Sequence, residues 1–171
     1  MRQVICNRFI ELLKFRSHKE ISTFISNQTI SSILLLEESF GDIYYCYAGY
    51  HSLTNQKQFI ISFNSDEDES NLHLLFWLSA ELLVIETGRM IYCIDNKLSI
   101  KYHFDFITPL LGLYVTNTNN LLILDCMSIK IVTPQGVIVQ DDSFDLIEDF
   151  SITGSYLSIK TSEGSKKFSL L

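Results

Sequence analysis

The stretch from Leu82 to Lys101 aligns without a gap on the stretch from Leu121 to Gln140, 39 residues further along. No other feature constrains the fold as tightly, because self-similarity at a spacing of tens of residues marks one supersecondary unit stacked or set around an axis several times. Leu82-Leu83-Val84-Ile85-Glu86 and Leu121-Leu122-Ile123-Leu124-Asp125 each read as a strand, followed by a tight turn and further strands. This alignment makes Ile85 and Leu124 equivalent core positions. Beyond it, Phe104-Asp105-Phe106-Ile107 returns as Phe144-Asp145-Leu146-Ile147. Weaker copies flank the pair. Ile33 to Glu37, a Phe40-Gly41-Asp42 turn and Ile43 to Tyr47 form one, and Tyr156 to Lys160, a Ser162-Glu163-Gly164 turn and Lys167 to Leu170 form the other. A glycine turn between alternating apolar runs is a hairpin signal, since the favoured hairpin turns need positive φ. Hairpin units are therefore expected to start near residues 33, 82, 121 and 156, with Gln58 to Phe63, Leu98 to Phe104 and Val137 to Val139 as third strands.

Composition agrees. Alanine occurs only at positions 48 and 80, whereas β-branched and aromatic residues, which suit a pleated and half-buried surface, are abundant. A chain of 171 residues that is 47% hydrophobic can bury a real core and is not disordered. The expected class is all-β, built from antiparallel meanders. Residues 31–171 form a single β domain, with residues 1–30 as an N-terminal segment packed on it. Within that segment Ser17-His18-Lys19-Glu20 has the form of a helix capping box, with Ile21, Phe24 and Ile25 following at helical spacing. Ile21 to Ile25 reads equally well as a strand that pairs with the last unit to close a ring.

Three or four strands per unit of this size resemble a β-propeller repeat of the WD or kelch kind, over about residues 30–171. The resemblance is one of strand rhythm: neither the Gly-His and Trp-Asp pairs nor the kelch Gly-Gly pair is present. A β-sandwich or barrel is the alternative closure of the same meanders.

Charge and motif content exclude several function classes. Thirteen Lys and Arg against twenty Asp and Glu give a net charge of −7, the wrong sign for a nucleic-acid or anionic-membrane surface. The apolar runs Ile33–Leu36 and Leu74–Leu78 are far too short to span a bilayer, and no secretory segment opens the chain. A cytoplasmic protein is expected. Cys6, Cys46, Cys93 and Cys126 form no C-x-x-C pair, and the last three sit in apolar strand-like runs, so all four are expected as reduced thiols. His18, His51, His73 and His103 are scattered without metal-site spacing. No nucleophile motif or phosphate loop appears, and neither catalysis nor a cofactor is expected.

What stands out is the placement of acids. Asp66, Glu67, Asp68 and Glu69 form one run, and Asp141, Asp142, Asp145, Glu148 and Asp149 a second, interleaved with Phe144, Leu146, Ile147 and Phe150. Such runs commonly serve only as solvated loops, and neither has the spacing of a calcium loop. An acidic loop carrying aromatic anchors also offers carboxylates where a basic protein expects phosphate. In this character the chain resembles the bacterial immunity proteins of contact-dependent growth inhibition systems. That resemblance implies a protein partner, a cognate basic nuclease toxin whose active site is covered. The partner-binding residues would be Asp141, Asp142, Phe144, Asp145 and Glu148, with Asp66, Glu67, Asp68 and Glu69. A propeller-like scaffold or ligand-binding module is the competing reading.

Overall fold

The structure is a computed structural model describing residues 2–5, 8–30, 32–36 and 41–170, with residues 2–5 described by backbone alone. It is almost all β, with one helix, and its strands form four separate sheets.

The first sheet takes β1 (Arg2–Ile5), β2 (Arg8–Phe15), β3 (Ile33–Leu35), β4 (Ile43–His51) and β5 (Lys57–Ser65), in the order β1-β2-β4-β5-β3. Residues 2–15 are thus strands of this sheet, and the boundary expected near residue 30 runs through it. Ile33–Leu35 pairs parallel to β5 and does not form a hairpin with Ile43–Tyr47; of the turn placed between them, Phe40 lies outside the described residues, as does Glu37. Residues 17–27 resolve as a helix, α1 (His18–Ser26). Glu20 N donates to Ser17 Oγ at 3.3 Å, and the Glu20 carboxylate accepts from Arg16 N at 2.8 Å. Two N-terminal groups are thereby satisfied. Helical spacing then aims Ile21, Phe24 and Ile25 at one face, where they pack on Cys46, Ala48 and Ile60 of the first sheet.

The second sheet is a meander of β6 (Leu74–Trp77), β7 (Leu82–Glu86), β8 (Met90–Ile94) and β9 (Ile100–Asp105). The third repeats it with β10 (Leu110–Val115), β11 (Leu121–Asp125), β12 (Ser128–Val132) and β13 (Ile138–Ser143). The fourth has three strands, β14 (Ile147–Thr153), β15 (Tyr156–Thr161) and β16 (Gly164–Ser169). Each neighbouring pair shares one apolar cluster: Tyr47, Phe63, Ile85 and Tyr92 between the first and second, Trp77, Val84, Ile91 and Leu121 between the second and third, Leu122, Leu124, Ile129 and Leu157 between the third and fourth. The arrangement is blade beside blade, propeller-like, and the described residues show no pairing of the first sheet with the fourth. No described helix is long and apolar enough to cross a membrane.

The repeat is structural, but its register is one residue from the sequence alignment. Leu83 pairs with Ile94 in the second sheet as Leu121 pairs with Val132 in the third. Leu83, and not Leu82, is therefore the counterpart of Leu121, and Ile85 matches Ile123. Ile85 faces the first sheet while Leu124 faces the fourth, so these two are not equivalent. Likewise Phe106, whose N–H reaches Arg89 O, corresponds to Phe144, whose N–H reaches Met127 O. The cause is that β7 and β11 are buried on both faces. With no polar side to mark alternation, a slip of one residue is invisible in the sequence although it turns every side chain over.

At one end of the meanders the turns share a geometry. Asp95, Thr116 and Thr133 each accept, through a side-chain oxygen, the N–H of the residue four places on, and Leu98, Asn119 and Gly136 hold the left-handed position. This is the three-residue hairpin loop whose last residue needs positive φ. Gly136 adopts it freely, and a side chain there would also strike the Tyr102 ring.

Candidate functional site

The strand directions decide which loops can act together. Ser65, Glu86, Asp125, Ser143 and Thr161 all end strands at the same end of the array. Contacts between sheets confirm the common polarity: Asp66 approaches Arg89 at 3.8 Å, and Ile147 N donates to Cys126 O. At the opposite end Trp77 Nε1 donates to Asn119 O, and Thr118 Oγ1 to Leu170 O. Both acidic runs therefore belong to one rim.

The first run is a loop between β5 and β6. Ser65 Oγ accepts from Glu67 N at 2.9 Å, and the Glu67 carboxylate accepts from Asn71 Nδ2 at 3.0 Å. Lys14 Nζ donates to Asp68 at 3.2 Å. That hydrogen bond, with the Tyr45 ring beside it, raises the Lys14 ammonium above its ordinary pKa. Glu69 is exposed.

The second run is not a single loop. Asp141 and Asp142 lie on β13, Glu148 and Asp149 on β14, and only residues 144–146 link them, with Asp145 exposed. Lys130, the cross-strand neighbour of Asp141, meets it at 2.8 Å, and Lys160 meets Glu148 at 3.6 Å. Asp142 accepts from Gln140 Nε2 at 2.6 Å, and Asp149 from Phe150 N at 2.9 Å. Phe144 is engaged inward: it is half-buried among the residues between the third and fourth sheets, with its ring edge-on to Phe168 at 5.8 Å and Lys166 Nζ over it at 5.2 Å. The apolar groups this rim presents to solvent are instead Ile107, 100% exposed, Leu146, 52%, and Met127, 42%. Ile107 and Met127 were missed in the sequence because each occupies a turn, where an apolar residue breaks no periodicity.

Nine carboxylates thus share the rim with four paired cations, Lys14, Arg89, Lys130 and Lys160. Such surface ion pairs contribute about 0–1 kcal/mol each, so they exchange readily for a better partner. Beneath them lie buried acids of another kind. Glu86 accepts from His73 N, His73 Nδ1 and Gly88 N, and Asp125 from Met127 N, Ser128 N and two hydroxyls. These satisfy the turn backbone and are structural. Among the described residues no group of three or more His, Cys, Asp or Glu converges as a metal site. Cys46, Cys93 and Cys126 are free thiols, and Cys6 lies outside the described residues. Burial pushes Cys46 and Cys93 up to about 12, far from a nucleophilic thiolate at neutral pH.

No protein-family profile and no curated protein matches the sequence. Among solved structures the chain is similar to BamB from Moraxella catarrhalis, at 13% identity over 73% of this chain and 39% of that one, with a TM-score of 0.49. It is similar also to the WD40 domain of Neurospora crassa Pan2, at 10% identity over 69% of this chain and 39% of that one, TM-score 0.46. A virginiamycin B lyase from Staphylococcus aureus matches at 10% identity over 94% of this chain and 60% of that one, TM-score 0.46. The chain spans about two fifths of the first two proteins, and the blade-like reading rests on its own strand pairing.

Proposed function

We propose that this chain is a non-catalytic binding protein that seats a basic protein on its acidic rim, and that the partner is a cognate nuclease toxin whose active site the rim covers, as an immunity protein does. The observation that carries this reading is the convergence of both acidic runs on one rim, with Ile107, Met127 and Leu146 exposed there. A nuclease holds nucleic-acid phosphates with Lys, Arg or His, and carboxylates presented at a similar density occupy those cations. Long-range attraction speeds encounter, while the exposed apolar groups, buried on docking, supply the contact that slows release.

The test is binding of the nuclease domain encoded beside this chain's gene, together with its activity on RNA and DNA. The comparison is between wild type and the variants Asp145→Asn/Glu148→Gln/Asp149→Asn and Leu146→Ser/Met127→Ser, at low and moderate salt. Expected are salt-sensitive association of wild type with loss of nuclease activity, slower association of the charge variant, and faster release of the apolar variant. Equal affinities throughout assign the acids to solubility alone, and no binding by wild type removes the immunity role.

A further inference from the structure

The outermost strands of the second and third sheets, β9 and β13, share one bulge. In the β8–β9 ladder Cys93 pairs with Tyr102 and Ile94 with Ile100, which leaves Lys101 without a partner. In the β12–β13 ladder Ile131 pairs with Gln140 and Val132 with Ile138, which leaves Val139 without one. The turns before the two strands also match, so Ser99, Ile100 and Lys101 correspond to Val137, Ile138 and Val139. A serine and a lysine satisfy the fold in β9, and the fold therefore does not require the two valines that replace them in β13. Val137 is 57% exposed, Ile138 43% and Val139 57%. These three consecutive apolar residues lie on a strand whose outer edge pairs with no other strand among the described residues. Lysines on an edge strand deter pairing with another chain. Exposed lysines stand on β9, at Lys101, and on β16, outermost in the fourth sheet, at Lys166 and Lys167. From Val137 to Ser143 there is none.

Past the valines β13 changes character, with Asp141 and Asp142 at its acidic-rim end. A segment added at a sheet edge gains main-chain hydrogen bonds from the edge strand and is selected by the side chains that come to lie beside it. We propose that β13 is such a docking edge, and that its occupant is an extended segment of a basic protein. The segment lies antiparallel, with apolar side chains beside Val137, Ile138 and Val139 and Lys or Arg beside Asp141 and Asp142. A fifth strand in this direction continues the antiparallel order of β10 to β13. The change from apolar to acidic along β13 chooses this occupant by charge complementarity. A second copy of the chain does not match it, because two β13 strands laid antiparallel set the valines of one against the aspartates of the other. Lys130, which holds Asp141 at 2.8 Å, forms a weak surface pair that a cation of the partner can replace. This docking mode rests on the proposed seating of a basic protein at the acidic rim. Its probe contains no toxin, so failure of the probe falls on the edge and failure of toxin binding on the immunity role.

The probe is the capped peptide Thr-Lys-Lys-Thr-Val-Tyr-Val, labelled for fluorescence anisotropy and titrated against the whole protein at moderate salt. Two further versions carry N-methyl groups on alternate residues, one losing the N–H groups that face β13 and the other those that face away. Wild type should bind the parent peptide and one methylated version alike, and the other about 10-fold more weakly, since it forfeits its hydrogen bonds to the edge. Attraction by charge alone would treat the two versions equally. Val139→Lys, which gives β13 the residue that β9 has at Lys101, should weaken the parent peptide by about 10-fold or more. Val137→Ser/Val139→Ser, which adds no charge, should weaken it too, and circular dichroism establishes that both variants are folded. The proposal is overturned if wild type does not bind the parent peptide, if the two methylated versions bind alike, or if either variant binds as wild type does.

Discussion

Replacing Asp125 is the sharpest test of how the repeated turns are held. Its Oδ1 accepts from Met127 N, Ser128 N and the Thr108 hydroxyl, each at 2.7 Å, and its Oδ2 accepts from the Ser128 hydroxyl at 2.6 Å. The side chain is 5% exposed. In Asp125→Ala the two hydroxyls can rotate to other acceptors, but the two N–H groups are fixed by the turn. Each buried donor left without an acceptor costs about 1–3 kcal/mol, and bonds to a charged group lie at the upper end of the hydrogen-bond range. The expected loss is about 3–5 kcal/mol, a large share of the roughly 5–15 kcal/mol that holds an ordinary domain. Asp125→Asn keeps the acceptor for three of the four bonds and lets the Ser128 hydroxyl reverse to accept from the new amide, so it should cost about 1–2 kcal/mol. Urea unfolding followed by the fluorescence of Trp77, the single and fully buried tryptophan, reads both. The midpoint should fall at constant slope. A loss below about 1 kcal/mol for Asp125→Ala, or equal losses for both variants, would refute the assignment of Asp125 as the acceptor that holds this turn.

Gly49→Ala should destabilise by about 1–3 kcal/mol, since the added Cβ would lie 2.2 Å from the Phe59 ring and must displace it; a neutral result in the same assay would mean that the ring relocates freely. Cys46 and Cys93 have pKa values pushed up to about 12 from about 9 by burial, so the folded protein keeps two protons that the unfolded chain releases. Stability should hold level to about pH 9 and then fall by about 1.4 kcal/mol per pH unit for each thiol, up to about pH 12. Cys46→Ala/Cys93→Ala, compared at high pH with wild type, should show a shallower slope. Thiol labelling of the native protein at neutral pH should leave both untouched until it unfolds, and rapid modification of either would contradict their burial.

The elements legible in the sequence were those with a local signature. The Ser17 cap with Ile21, Phe24 and Ile25 at helical spacing gives α1 as one of two options, and the repeat with its glycine turns locates the hairpins from Leu82 onward. Arg8–Phe15 carries no clean strand signature, because Arg8, Glu11 and Lys14 interrupt the apolar residues, although Phe9, Ile10 and Leu12 are buried. Register failed where both faces of a strand are apolar. The acids of Asp141–Asp149 were visible, but their division between two sheets was not, because a strand at the outside of a sheet carries charge as comfortably as a loop does. Gln58 reads as an ordinary strand residue, and the bulge that leaves it without a partner across the β4–β5 ladder is illegible, because a bulge is a fact about the partner strand.

The fourth sheet presents Ser151, Ser158, Lys160, Ser165 and Lys167 on the side away from the third, as its pairing alternates them with Phe150, Leu157, Ile159 and Phe168. That side is polar apart from Tyr156, over whose ring Lys167 Nζ lies at 4.2 Å. With one apolar layer per junction, cooperativity runs from neighbour to neighbour, like coupling along a one-dimensional chain of spins. Among the described residues the fourth sheet is held through one junction, where the second and third are each held through two. Slow amide exchange should therefore be deepest at β7, β8 and β11 and shallowest at β14 and β16, so that the molecule frays from its C-terminal unit while the middle of the array stays closed.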